Sequence, residues 1–157
     1  PSFLGGGLLQ GGAGSYLDMH SDFSRHGSEK EWLRELNLLL YLNEDYQELW
    51  GGDLDLVNSH TGETSSIAPK NNRLVIMLTK AHTVHGYKAI DFPNGVFRNS
   101  IASYAYSVDT DFTNNPITST GWQPSTSVLR ALIGPLVIRL VKIKVAIFGS
   151  NTTRKSK

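Results

Sequence analysis

The feature that most constrains this chain is a succession of strand-length runs separated by polar loops. The runs cover 16–23, 35–43, 53–58, 73–79, 81–87 and 97–108, with a shorter piece at Leu8-Leu9 between Gly5-Gly6-Gly7 and Gly11-Gly12. Residues 53–58 alternate polar and apolar, the mark of a half-exposed strand, whereas 35–43 holds an apolar run of strand length and suits a strand buried on both faces. Between the runs, 24–28 reads as a loop, 29–34 as a short helical turn, 58–66 as a polar loop, and 88–96 as a loop broken by Pro93 and Gly95. Many short strands and little helix predict an all-β sandwich or barrel.

After residue 108 the character changes. The domain is expected to end there, followed by a Thr-, Ser-, Asn- and Pro-rich linker over 109–127. An apolar but basic segment over 128–149 follows, expected to be helical and broken near Gly134-Pro135, and then a disordered tail over 150–157. Arg139, Lys142 and Lys144 would each cost roughly 2.5–3.5 kcal/mol near a bilayer centre, so a membrane span is not expected. All fourteen acidic residues lie at or before Asp111 together with eight of the fifteen Lys and Arg, a net −6, whereas 112–157 carries +7. Peripheral contact of the basic end with an anionic surface, its docking on the acidic body, and a homodimer are all left open. Nucleic acid is not an expected partner, because the acidic body lacks a basic-aromatic surface. With no cysteine in the chain, any metal must be held by nitrogen and oxygen. No basic-then-apolar leader opens the sequence, and a cytoplasmic setting is the expectation; the initial proline points to a piece of a longer chain.

Chemistry concentrates in three places. Residues two apart on an extended strand share a face, so His20 and Asp22 present an imidazole and a carboxylate side by side; Asp18 is an equally allowed partner on spacing alone. A second imidazole from a distant strand completes a 2-His-1-carboxylate triad, which leaves open positions on a non-haem iron. His82 and His85 compete for that place, and an odd separation keeps them from sharing a face on a regular strand. Arg98 and Ser100 do share one, and a guanidinium with a nearby hydroxyl suits a carboxylate ligand. His26 and His60 sit in polar loops and read as solvated.

The motifs come in a telling order: His20-Ser-Asp22, then Arg34 to Asn43 ending in Tyr-Leu-Asn, Gly51-Gly-Asp-Leu54, Pro69-Lys-Asn-Asn-Arg-Leu-Val75, His85-Gly86 and Arg98-Asn-Ser100. From about Leu8 to Tyr106 this series resembles the prolyl 4-hydroxylase-like iron(II)/2-oxoglutarate-dependent dioxygenases. The resemblance implies a double-stranded β-helix, a cupin-like jelly roll, over residues 1–108. It selects Asp22 over Asp18 and His85 over His82, giving His20, Asp22 and His85 as ligands of Fe(II). It implies that Arg98, Ser100, Tyr41 and, in support, Asn37 bind 2-oxoglutarate, with no catalytic side chain beyond the metal site. O2 is then the oxidant and ascorbate a candidate reductant. The implied reaction hydroxylates an unactivated C–H of a prolyl peptide or small molecule and releases succinate and CO2. One departure stands out: Gln10 occupies a place where many relatives carry a tyrosine that touches the co-substrate. The rival readings are a non-catalytic jelly-roll module binding a sugar or peptide, and a cupin-like metalloenzyme that does not use 2-oxoglutarate.

Overall fold

The computed structural model describes residues 2–123 and 139–140. Residues 1–123 form one compact unit and 124–157 another, of which only Arg139 and Leu140 are described. The first unit carries β1 (Ser2–Gly11), β2 (Leu17–Ser21), β3 (Trp32–Tyr41), β4 (Leu54–Asn58), β5 (Thr64–Ile67), β6 (Arg73–Leu78), β7 (Thr83–Tyr87), β8 (Arg98–Val108) and β9 (Gly121–Trp122), with a single 3-10 turn at Glu48–Trp50. They pair antiparallel into two sheets, β1-β8-β3-β6 and β5-β4-β7-β2-β9, in a jelly-roll-like arrangement.

Cross-strand pairs put Asn37 with Tyr104, Leu39 with Ala102, and Tyr41 with Ser100 on the inner face of the four-stranded sheet. Leu39, Tyr41, Val75 and Ala102 from that sheet meet Leu54 of the other, so the core lies between the layers, flanked by Leu56 and Ile67. Each fully buried aliphatic side chain stabilises the fold by roughly 1.5–3 kcal/mol. The inner positions filled instead by Asn37, Ser100, Arg98, His20 and His85 contribute none of that, yet all five are buried. Their burial therefore calls for another cause.

Two irregularities set the geometry of the site. In β3, Arg34 pairs with Tyr106 while Leu36 already pairs with Ala105, so one extra residue is accommodated between them. This bulge turns Arg34 onto the same face as Asn37 despite the odd spacing. In β2, Leu17 pairs with Tyr87 and His20 with His85, again with one residue too many on β2. Gly86 permits it: a Cβ there would lie 2.5 Å from the Leu17 carbonyl oxygen and 3.0 Å from Met19 Sδ.

Several expectations are corrected. The turn expected over 29–34 gives way at Trp32 to β3, because Leu33 and Arg34 find partners on β8 and Leu33 also bridges Arg25. The loop expected over 58–66 includes the start of β5, folded back on β4 by a turn in which Asn58 Oδ1 accepts the amides of His60 and Thr61. The outer side of β3 is not fully buried among the described residues: Leu36, Leu38 and Leu40 pair with Leu78, Ile76 and Leu74 of β6, which are 53–59% exposed. The first part of the expected linker belongs to the domain, since Arg25 binds its carbonyls and β9 joins β2. The helical extension over 128–149 is not borne out. Apart from Arg139 and Leu140, a helical pair too short to make an element, it lies outside the described residues, as do 124–127 and the tail 150–157. No helix among them is long and apolar enough to cross a membrane.

Candidate active site

The five-stranded sheet aligns Leu56, His85, His20 and Trp122 in one row across β4, β7, β2 and β9. Directly paired residues of antiparallel strands point the same way, so the two imidazoles stand side by side, ring centres 4.3 Å apart. Asp22, two residues beyond His20, brings its carboxylate to the same point, with His20 Nε2 3.7 Å from Asp22 Oδ1. One donor atom from each of His20, Asp22 and His85 lies within 4.8 Å of the others. Donors sharing an ion at bond lengths of about 2.0–2.2 Å stand roughly 3–4 Å apart, so the His20–Asp22 pair already has that spacing. Asp18 is not part of this group. The bulge between Leu17 and His20 breaks the strand parity on which it competed, and its carbonyl instead lies 2.9 Å from His20 Nδ1. In the neutral imidazole that contact selects the Nδ1–H tautomer, which turns the Nε2 lone pair outward, as a ligand requires. His82 lies elsewhere, its ring 4.6 Å from that of His60.

Burial pushes His85 down to about 4, Asp22 pulls it back upward, and His20 and Arg34 lower it further. The imidazole is thus neutral near pH 7, the form that coordinates metals. Its Nδ1 is buried with no hydrogen-bond partner, an expensive state that an ion or an ordered water relieves. The donor set, two imidazoles and one carboxylate without sulfur, fits Fe(II) and related divalent ions.

Facing the triad across a cavity of about 390 Å³ are Tyr41, Arg98, Ser100 and Tyr104 of the four-stranded sheet. Arg98 is buried, stacks at 4.1 Å on Tyr87, donates from Nε to the Gly52 carbonyl at 2.8 Å and from Nη2 to Tyr41 Oη at 3.3 Å. Its other N–H groups remain for a carboxylate entering the cavity. Gly52 adopts φ 86°, and a Cβ there would lie 3.2 Å from Arg98 Cδ, which accounts for the second glycine of the Gly-Gly pair. Burial raises the pKa of Tyr41, against the pull of Arg98, so it stays a phenol. Gln10 lines the cavity but donates to Asn99, and the phenol nearest the Arg98 guanidinium from β7 is Tyr87.

Asn37 does something other than expected. Its Nδ2 donates to Asp22 Oδ2 at 3.0 Å, so it holds the metal-side carboxylate rather than reaching toward Arg98. Beside it lies a residue that sequence reasoning passed over. Arg34 is 0% exposed, its guanidinium 3.5 Å from the Phe23 ring centre and 3.6 Å from that of Tyr104, with Nη1 3.6 Å from Asp22 Oδ2. Asp22 Oδ2 is therefore gripped from the protein side, and Oδ1 is left toward His20.

The family model of the 2OG-Fe(II) oxygenase superfamily matches residues 6–106. Among solved structures, a prolyl-4-hydroxylase from Pseudomonas putida is similar at 22% identity, covering 63% of this chain and 49% of that one, with a TM-score of 0.49. A structure of prolyl 4-hydroxylases from Phytophthora capsici is similar at 17% identity, covering 90% of this chain and 45% of that one, with a TM-score of 0.47. The chain thus spans about half the length of these structures. No curated protein matches it. With the family match covering all or part of β1 to β8, the two histidines, the aspartate and Arg98, the chain belongs to the 2OG-Fe(II) oxygenase superfamily.

Proposed function

We propose that this domain is a Fe(II)- and 2-oxoglutarate-dependent dioxygenase that hydroxylates an unactivated C–H bond, with a prolyl peptide as the first substrate class to test and small molecules as the next. The observation that carries the reading is the opposition, within one cavity, of a His20–Asp22–His85 cluster and the Arg98 guanidinium. His20, Asp22 and His85 hold the ion. Arg98 takes the distal carboxylate of the co-substrate in a charge-assisted fork, with Ser100 and Tyr41 as neutral partners. Asn37 orients Asp22, and Arg34 supplies its counter-charge. Leu39, Leu54 and Ala102 form apolar walls that keep water from the reacting atoms. When bound, iron with 2-oxoglutarate and O2 supplies oxidative decarboxylation coupled to hydroxylation, yielding succinate and CO2. Ascorbate enters only as a candidate reductant.

Anaerobic addition of Fe(II) and 2-oxoglutarate is expected to give the weak visible metal-to-ligand charge-transfer band of a chelated 2-oxo acid. Oxygen uptake should then depend on 2-oxoglutarate and yield succinate. Absence of the band, or uptake indifferent to 2-oxoglutarate, overturns the reading. Tight binding of a sugar or peptide without turnover, iron being supplied, favours the non-catalytic module instead.

A further inference from the structure

We propose that Trp122 is a positioning residue of the metal centre, bracing the His20 imidazole on the flank opposite His85; this rests on the reading of His20, Asp22 and His85 as ligands. The indole arrives on a strap, residues 109–123, that lies beyond the family-matched stretch 6–106. Two residues just past Phe23, next to the ligand strand, anchor that strap. Ser24 Oγ donates to the Pro116 carbonyl at 2.8 Å and accepts the Thr118 amide at 2.9 Å. Arg25, only 3% exposed, donates to the carbonyls of Asp109, Asp111 and Asn115, pairs with the Asp109 carboxylate at 3.0 Å, and sits 4.2 Å over Phe112. So dense a set of charged donors on main-chain carbonyls fixes where the strap runs.

The strap ends as an edge strand against the ligand strand itself. Gly121 pairs with Ser21 and Trp122 with His20, and the Gln123 amide donates to the Met19 carbonyl at 2.8 Å. The strand order β7-β2-β9 therefore places His85 on one side of His20 and Trp122 on the other, at ring distances of 4.3 and 4.7 Å. An imidazole has two rotatable bonds. With Nδ1 held by the Asp18 carbonyl and both flanks occupied by rings, the direction of Nε2 is set. Trp122 is 48% exposed, so one side of the indole faces water while the other keeps water from His20, which is buried. Removing the ring opens that flank and frees the ligand to turn.

The test is Co(II) titration of the metal-free full chain, read by the ligand-field absorption and by tryptophan fluorescence, in wild type, Trp122→Phe, Trp122→Leu and His85→Ala. Trp122→Leu is expected to weaken Co(II) binding about 10- to 100-fold, the range for residues that orient metal ligands, and to alter the saturated ligand-field spectrum. Trp122→Phe should restore most of the affinity. Co(II) should quench wild-type emission more than that of Trp122→Phe, a comparison that stands even if Trp122→Leu folds poorly. Wild-type affinity and spectrum in Trp122→Leu, an equally weak Trp122→Phe, or identical quenching in wild type and Trp122→Phe would overturn the proposal. If wild type and His85→Ala bind Co(II) equally weakly, the metal reading itself has failed.

Discussion

Replacing Arg34 by methionine separates two things a buried arginine does beside a metal ligand. At 3.6 Å from Asp22 Oδ2, its charge is worth about 4–5 kcal/mol at an effective dielectric near 20. Breaking a buried pair by removing one partner costs about 3–5 kcal/mol, which agrees. Hydrogen bonding adds less, because Nε and Nη1 have no hydrogen-bond partner, which leaves neutral phenols, Tyr106 Oη at 3.3 Å from Nη2 and Tyr104, as acceptors. Methionine keeps apolar contact with Phe23 and Tyr104. Asn37 still holds the carboxylate, so Asp22 stays oriented but loses its counter-charge. In urea unfolding without metal, Arg34→Met should therefore lose about 3–5 kcal/mol. A bound dication supplies the missing positive charge, so at saturating Mn(II) about 2 kcal/mol or more of that loss should return. By linkage the variant then binds Mn(II) roughly 30-fold more tightly than wild type. A variant that binds Mn(II) more weakly than wild type, or an equal deficit with and without metal, refutes the argument: orientation or stacking, not charge, would be what Arg34 provides. An Arg34→Met/Asp22→Asn cycle measures the coupling directly.

Arg98→Met should raise the 2-oxoglutarate requirement by 100-fold or more, since charge-assisted bonds are worth about 1.5–3 kcal/mol each, while leaving Co(II) binding near wild type; equal loss of both would place Arg98 in the metal site instead. Gly86→Ala should cost about 1–3 kcal/mol, because the new methyl meets the Leu17 carbonyl, and should weaken Co(II) binding by parting His20 from His85; wild-type affinity would show that the bulge is dispensable. His85 is lowered to about 4 in the folded protein, so the unfolded chain binds its proton first as pH falls. Metal-free stability is thus expected to fall between about pH 6.5 and 4, and His85→Ala should flatten that part of the urea-midpoint profile. The Arg25 hydrogen bond holds the Asp109 carboxyl below the usual carboxylate range; its contribution is present above that range and lost as pH drops through the lowered value. The protection of strap amides over 109–123, relative to their intrinsic exchange rates, should therefore fall in acid, and Asp109→Asn should remove the dependence.

What the sequence revealed, and what it hid, divides along strand regularity. His20 with Asp22, and Arg98 with Ser100, are legible because both pairs are two apart on stretches that obey the period of two. Arg34 was invisible for the opposite reason. It stands three residues before Asn37, and only the extra residue in β3 turns both toward Asp22. The same device on β2 removes Asp18 from contention. Nothing in the local sequence signals either bulge, since what permits them is long-range: Tyr106 opposite Arg34, and the missing side chain of Gly86 against Leu17. The strap failed to register because its Thr-, Ser-, Asn- and Pro-rich composition is that of a linker. Its order comes from Arg25, more than eighty residues away in sequence, donating to carbonyls that any residue would offer. Backbone acceptors carry no residue code, so such docking cannot be read from composition. Glycines next to catalytic motifs, and lone buried arginines, are therefore where a sequence of this kind conceals the supports of its site, while the ligands themselves stand in plain view.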